Sequence, residues 1–130
     1  MFVEVRFPVL SSETGWAFEE FVLRHGDFAV VGVTTVVTLD SNEVCTDARL
    51  AAIGVDETAF RDPALEEILK GEKITDAALE EVAHLLSAKV DPFDDLHASA
   101  AQRKHLVGVL AKRALRKAAD MALQNLQGEK

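Results

Sequence analysis

The stretch DFAVVGVTTVVTL, from Asp27 to Leu39, constrains the fold more than any other part of this sequence. Valine and threonine branch at Cβ, which favours an extended backbone over a helix. Ala29, Val31, Val33, Val37 and Leu39 share one face at period two, so that face should meet a core. Asp40-Ser41-Asn42 carries turn chemistry, and Val44 to Gly54 reads as a returning strand. So short a connection cannot make a parallel crossover, and an antiparallel hairpin follows. On the returning strand Cys45, Asp47 and Arg49 take one face, with Val44, Ala48, Leu50 and Ala52 on the other.

Val3, Val5 and Phe7 alternate with Glu4 and Arg6, the period of a half-buried strand that stops at Pro8. From Glu13 to Leu23 the period changes. Phe18, Phe21 and Val22 fall on one helical face with Glu19 and Glu20 turned away, which predicts a short helix ended by Gly26. Beyond the hairpin the chain reads as helical. Asp62-Pro63 supplies an N-cap and a proline at the first helical position, for a helix running to Gly71. A second helix starts near Thr75, buries Leu79, Val82, Ala83 and Leu86, and ends before Pro92. The third is the longest: Ser99 and Gln102 have capping-box spacing, and Val107, Leu110, Ala114, Ala118 and Met121 form its seam. Its opposite side carries Arg103, Lys112, Arg116 and Lys117. This order predicts an α+β fold: a small antiparallel sheet of three or four strands, covered on one face by three helices. The 130 residues show no repeat or linker and read as one domain, 1–130, with 120–130 as helix end and tail. The polar terminal residues Gln127 to Lys130 are expected to be disordered.

A net charge of −8 repels phosphate backbones and argues against a nucleic-acid partner. No apolar run approaches the ~20 residues that cross a bilayer, and Met1 to Arg6 lack the pattern of a secretory leader. With one cysteine, Cys45, no intramolecular disulfide can form, and a cytoplasmic location is the expectation.

Motifs for chemistry are sparse. The glycines make neither a GxGxxG turn nor a GxxxxGK[ST] loop. His25, His84, His97 and His105 are dispersed, and the one Asp/His cluster is Asp91 to His97. Its Asp94, Asp95 and His97 fit a metal-using small enzyme far less well than a solvated loop leading into a capped helix. Cys45 reads as a buried thiol rather than a nucleophile. The basic side of the third helix fits a solvated face, a docking face for an acidic partner, or pairing with the chain's own carboxylates. The charged turn Arg24-His25-Gly26-Asp27 before the central strand is a helix C-cap or a functional loop.

Several segments taken in order carry a family likeness. They are Val5-Arg6-Phe7-Pro8, Gly15-Trp16-Ala17-Phe18-Glu19-Glu20-Phe21, Arg24-His25-Gly26-Asp27-Phe28-Ala29, Thr46-Asp47-Ala48-Arg49-Leu50 and Asp94-Asp95-Leu96-His97-Ala98-Ser99-Ala100. Arg103, Leu106, Leu110, Arg113 and Ala114 continue the series. This resembles the C-terminal domain of the flavoprotein, or medium, subunit of carbon monoxide dehydrogenase and xanthine dehydrogenase-type molybdenum hydroxylases, over about residues 2–119. The resemblance implies an accessory domain of an FAD-containing oxidoreductase, with no complete active site of its own. FAD would sit chiefly in N-terminal FAD-binding domains, which the resemblance places before Met1. An iron–sulfur small subunit and a molybdopterin large subunit would complete the assembly. It further implies that the loop Arg24, His25, Gly26 and Asp27 lies at the flavin edge. Glu19 and Glu20 stand where some members carry a lysine, and Gln102 where many carry a tyrosine. A free-standing interaction or regulatory module reusing the same fold is the alternative.

Overall fold

A computed structural model describes residues 3–128. Its elements are β1 (Thr14–Phe21), β2 (Val31–Leu39), β3 (Cys45–Ile53), α1 (Pro63–Glu67), α2 (Asp76–Lys89) and α3 (Ala100–Gly128). The strands form one antiparallel sheet in the order β1-β2-β3, so the α+β architecture follows the expectation. The β2–β3 hairpin turns on Asp40, whose carboxylate accepts from the N–H groups of Asn42 and Val44 at 2.8 and 3.0 Å. A register shift between Thr38 and Leu39 pairs Leu39 with Cys45 and leaves Thr46 unpaired. This bulge turns Cys45 into the core, not onto the face of Asp47 and Arg49.

Glu13 to Leu23 is not a helix. Thr14–Phe21 is a strand whose inward face is Gly15, Ala17, Glu19 and Phe21, while Trp16 and Phe18 point to the open side. The reason lies in α3, which crosses β1 at contact distance. A Cβ on Gly15 would stand 1.9 Å from the Ala118 carbonyl oxygen and 2.6 Å from the Ala122 nitrogen. Ala114, Ala118 and Ala122 form the matching small-residue seam on α3, and Thr35 Oγ1 donates to the Ala114 carbonyl at 3.0 Å. At Gly15 helix and strand therefore meet backbone to backbone, which leaves no room at this end of β1 for the large inward side chains that normally mark a strand.

The segment 3–10 has no regular secondary structure and is exposed rather than part of the sheet, so the expected first strand is absent from it. α1 ends at Glu67 rather than Gly71, and tighter turns carry the chain on to Gly71, whose φ of 89° favours glycine. α2 buries the expected Leu79, Val82, Ala83 and Leu86 beneath a Thr75 cap. α3 begins with reciprocal bonds between Ser99 and Gln102 and stays helical through Gly128. Phe2, Glu129 and Lys130 lie outside the described residues.

The cations of α3 do not form one free face. Lys112 pairs with Glu80, Arg116 with Asp76, and Lys117 with Glu19 on the sheet. Glu19 is thus tucked under α3 rather than turned away. Arg103 is buried, against the expectation of an exposed position.

The outer edge of β3 is closed by the chain itself. Phe60 bridges Ala52 through two backbone bonds of 2.9 and 2.7 Å, and Gly71 and Glu72 engage the Cys45 backbone. Between them the buried Glu66 carboxylate accepts the Leu50 N–H at 2.9 Å and a two-pronged contact from Arg61 at 2.9 and 2.8 Å. Burial alone would raise the Glu66 carboxyl, but Arg61 and the Leu50 N–H hold it below the usual range. At the β1 edge Asn125 reaches the Thr14 carbonyl and Met121 Sδ faces the Trp16 N–H.

Candidate functional site

Three connections converge at one end of the sheet: the β1–β2 loop, the exit of β3 at Gly54, and the α2–α3 loop. Arg103, on the first turn of α3, holds all three. Its Nη1 donates to the carbonyls of Val30 at 2.7 Å and Gly54 at 2.8 Å, and its Nη2 donates to Asp95 Oδ2 at 2.7 Å. A guanidinium has five donors in a rigid fork, which suits it to fasten several acceptors at once. The Arg103 side chain is only 7% exposed, and the Phe93 ring lies 5.8 Å from its guanidinium carbon. Gly54 is required here: its φ is 82°, and a Cβ would stand 2.1 Å from the Val30 oxygen.

Asp95 is fixed in turn by its own loop. Its Oδ1 accepts from the N–H groups of His97 at 2.8 Å and Ala98 at 3.0 Å. Those backbone donors, with Arg103, hold the carboxyl down at about 2. Asp94 caps α3 by accepting from the Ala100 N–H. Among the described residues, no three histidine, cysteine or acidic side chains gather as a metal-binding group. The Asp94 and Asp95 carboxylates make capping, turn and Arg103 bonds, and His97 joins the turn through its backbone N–H.

Arg24, His25, Gly26 and Asp27 form the tip of the β1–β2 loop. Asp27 N–H donates to the Arg24 carbonyl at 3.0 Å, and Gly26 has φ 89°, which gives a tight turn with glycine at its third position. The loop follows a strand, so it is not a helix C-cap. All four residues are exposed, as is Phe28 at 99%. Between this tip and the α2–α3 loop lies a cavity of about 350 Å³, lined by Leu23, Asp27, Phe28, Asp95, His97 and Arg103. An apolar groove of about 500 Å³ continues from it along α3, past Phe21, Leu23, Ala98 and Leu106.

Sequence reasoning placed Arg24 to Asp27 on a loop beside the central strand but missed Arg103, Asp95 and Glu66 as structural anchors. The one signal for Arg103 is its position in the first turn of α3, just beyond the Asp-rich loop, where a helix N-terminus ordinarily disfavours a cation.

Residues 16–118 match the family described as the CO dehydrogenase flavoprotein C-terminal domain. The alpha subunit of the 6-hydroxypseudooxynicotine dehydrogenase complex of Paenarthrobacter nicotinovorans is 36% identical over 91% of this chain and 40% of its own length. The carbon monoxide dehydrogenase medium chain of Hydrogenophaga pseudoflava is 33% identical over 87% of this chain and 39% of its own. A solved structure of that organism's carbon monoxide dehydrogenase superposes with a TM-score of 0.83 at 32% identity, covering 88% of this chain and 39% of its counterpart. Quinoline 2-oxidoreductase of Pseudomonas putida 86 gives 0.79 at 28% identity, over 85% and 38% of the two chains. The chain therefore spans about two fifths of the length of the relatives it matches. In sequence and in fold alike, it belongs to the CO dehydrogenase flavoprotein C-terminal domain family.

Proposed function

We propose that this chain serves as the accessory C-terminal domain of an FAD-containing medium subunit in a molybdenum hydroxylase, with its loop end packed beside the flavin domains. One observation carries this reading: the loop end is locked, yet it presents large apolar side chains to solvent. Phe28 and Leu96 are fully exposed, and Leu23 and Phe93 are more than half exposed, on the two loops that Arg103 ties together. A clustered apolar surface held in fixed shape is the mark of an interface.

The partners of this reading are the N-terminal FAD-binding domains, an iron–sulfur small subunit and a molybdopterin large subunit. FAD, when bound, supplies the redox chemistry, taking electrons from the iron–sulfur clusters. The residues of this chain pack, orient and exclude water. Arg24, His25, Gly26 and Asp27, at the exposed tip, would border the flavin. The described residues fit such an edge contact and not a whole FAD site. The cavity under the tip is small, and the sequence has no glycine-rich loop opening on a helix N-terminus to cradle a diphosphate.

Calorimetric titration of the purified chain with FAD tests the reading. The expected result is no binding up to about 100 μM, weaker than about −5.5 kcal/mol. Micromolar binding by the chain alone would replace the accessory role with a complete flavin site, and the Arg24–Asp27 loop would be the place to mutate.

A further inference from the structure

We infer that residues 3–10 are a β-strand presented to the edge of a sheet in the polypeptide that precedes this domain in its flavoprotein family. The inference rests on the reading that the chain packs beside flavin domains. Val3, Val5, Phe7 and Val9 are 91%, 67%, 83% and 96% exposed, although they alternate with the charged Glu4 and Arg6 as the buried face of a strand would. Arg6 Nε donates to Glu4 Oε1, a pairing two residues apart that an extended backbone places on one face. Among the described residues, no backbone hydrogen bond within the chain engages 3–10. The segment thus has the sequence period of a strand, is exposed, and has no sheet within the chain.

Its own sheet offers no place. The β3 edge is closed by Phe60, Glu66 and Glu72. At the β1 edge Asn125 and Met121 occupy the outward groups of Thr14 and Trp16, leaving only the stretch around Phe18 and Glu20. That is too short to receive such a segment from a second copy. The family is the C-terminal domain of a flavoprotein and matches from residue 16 onward. Residues 3–10 therefore lie on the side of the remaining three fifths of the relatives' length.

Pro8 fixes which edge is used. Successive N–H groups of a strand point to opposite edges, so Glu4, Arg6 and position 8 share one edge, with Val3, Val5, Phe7 and Val9 on the other. Proline has no N–H and belongs on an unpaired edge. The odd-numbered residues then make the hydrogen bonds, as in strand addition to an exposed sheet edge.

The test is residue-resolved amide exchange on a chimera in which the N-terminal portion of a medium-chain relative precedes this chain. In the chimera the Val5 and Phe7 amides should slow about 100-fold or more relative to this chain alone, while Glu4 and Arg6 stay fast. Val5→Pro should abolish that protection without changing the melting of the isolated chain. FAD retained in the chimera with residues 3–10 exchanging freely would overturn the strand inference and leave the domain reading intact. Failure of the chimera to hold FAD counts against the domain reading. In that event the relative carrying only residues 3–10 of this chain decides the strand inference, by protection or free exchange at the same two amides. Protection that appears in this chain alone and rises with its concentration would make a second copy the partner and overturn the one named here.

Discussion

Two ion pairs, each with one buried member, fasten this domain, and they have opposite polarity. At the β3 edge the acid is inside: Glu66 is 3% exposed and its partner Arg61 is 52% exposed. At the loop end the base is inside: Arg103 is 7% exposed and Asp95 is 31% exposed. The backbone decides the sign. An edge strand leaves N–H groups bare, and Glu66 takes the one at Leu50; the strand ends leave carbonyls bare, and Arg103 takes those at Val30 and Gly54. A carboxylate with two oxygens joins one helix to one strand. A guanidinium with its fork of donors joins three segments, so the loop end depends more heavily on its single anchor.

Removing each anchor should rank the two. Arg103→Met leaves two carbonyls and Asp95 without their donor, and should cost about 3–5 kcal/mol in denaturant unfolding. Exchange at the amides of residues 22–30 should rise with it. Glu66→Ala strands the Leu50 N–H but frees an arginine already half in water, so about 2–3 kcal/mol is expected. Equal losses for the two variants would break the comparison.

Asp95→Asn should cost less than Arg103→Met, because the amide oxygen can still accept from His97 and Ala98 and the Val30 and Gly54 carbonyls keep their donor, while the charge and the acceptor facing Arg103 Nη2 are lost. It also sharpens the comparison through pH. The Asp95 carboxyl titrates at about 2 in the folded chain against an ordinary value of 3.8. A depressed folded value means that its contribution is fully present above about pH 4 and is lost as the pH falls towards about 2. The stability difference between the parent chain and Asp95→Asn should therefore shrink over that window in acid unfolding curves. A difference that is constant with pH would mean that the charge on Asp95 plays no part. The smallest effect on stability belongs to Phe28→Ser, within about 0.5 kcal/mol by thermal melting, since the ring touches so little of its own domain. The same change should weaken association with flavin domains.

The sequence made some of this legible and hid the rest for identifiable reasons. The β2–β3 hairpin and α2 could be read because their large apolar residues face inward at the period of the element, as in Val31, Val33, Val37 and Leu39. β1 was unreadable by that rule. Its inward positions Gly15 and Ala17 are small so that α3 can touch the backbone, and its large residues Trp16 and Phe18 face outward. The hydrophobic signal is inverted, and Phe18, Phe21 and Val22 imitate a helical stripe. The opposite error occurred at residues 3–10, where a true strand period has no sheet within the chain. At the candidate site, the turn chemistry of Arg24 to Asp27 was local and could be read. The clamp on that turn was not, because Arg103 is 73 residues from Val30 and 49 from Gly54 in the chain. The register that brings them together exists only after folding.

Cys45 gives this architecture a clock. It is the only cysteine, it is 0% exposed, and burial pushes its thiol pKa up, so in the folded chain an alkylating reagent meets neither access nor thiolate. Its own N–H and carbonyl hold Glu72 and Gly71 against β3, so the thiol sits under the strap that closes that edge. At reagent concentrations where alkylation outpaces reclosing, each alkylation event records one release of the strap or one unfolding of the sheet. Labelling followed over time by mass then gives the opening rate, and at lower reagent concentrations the fraction of chains that stand open.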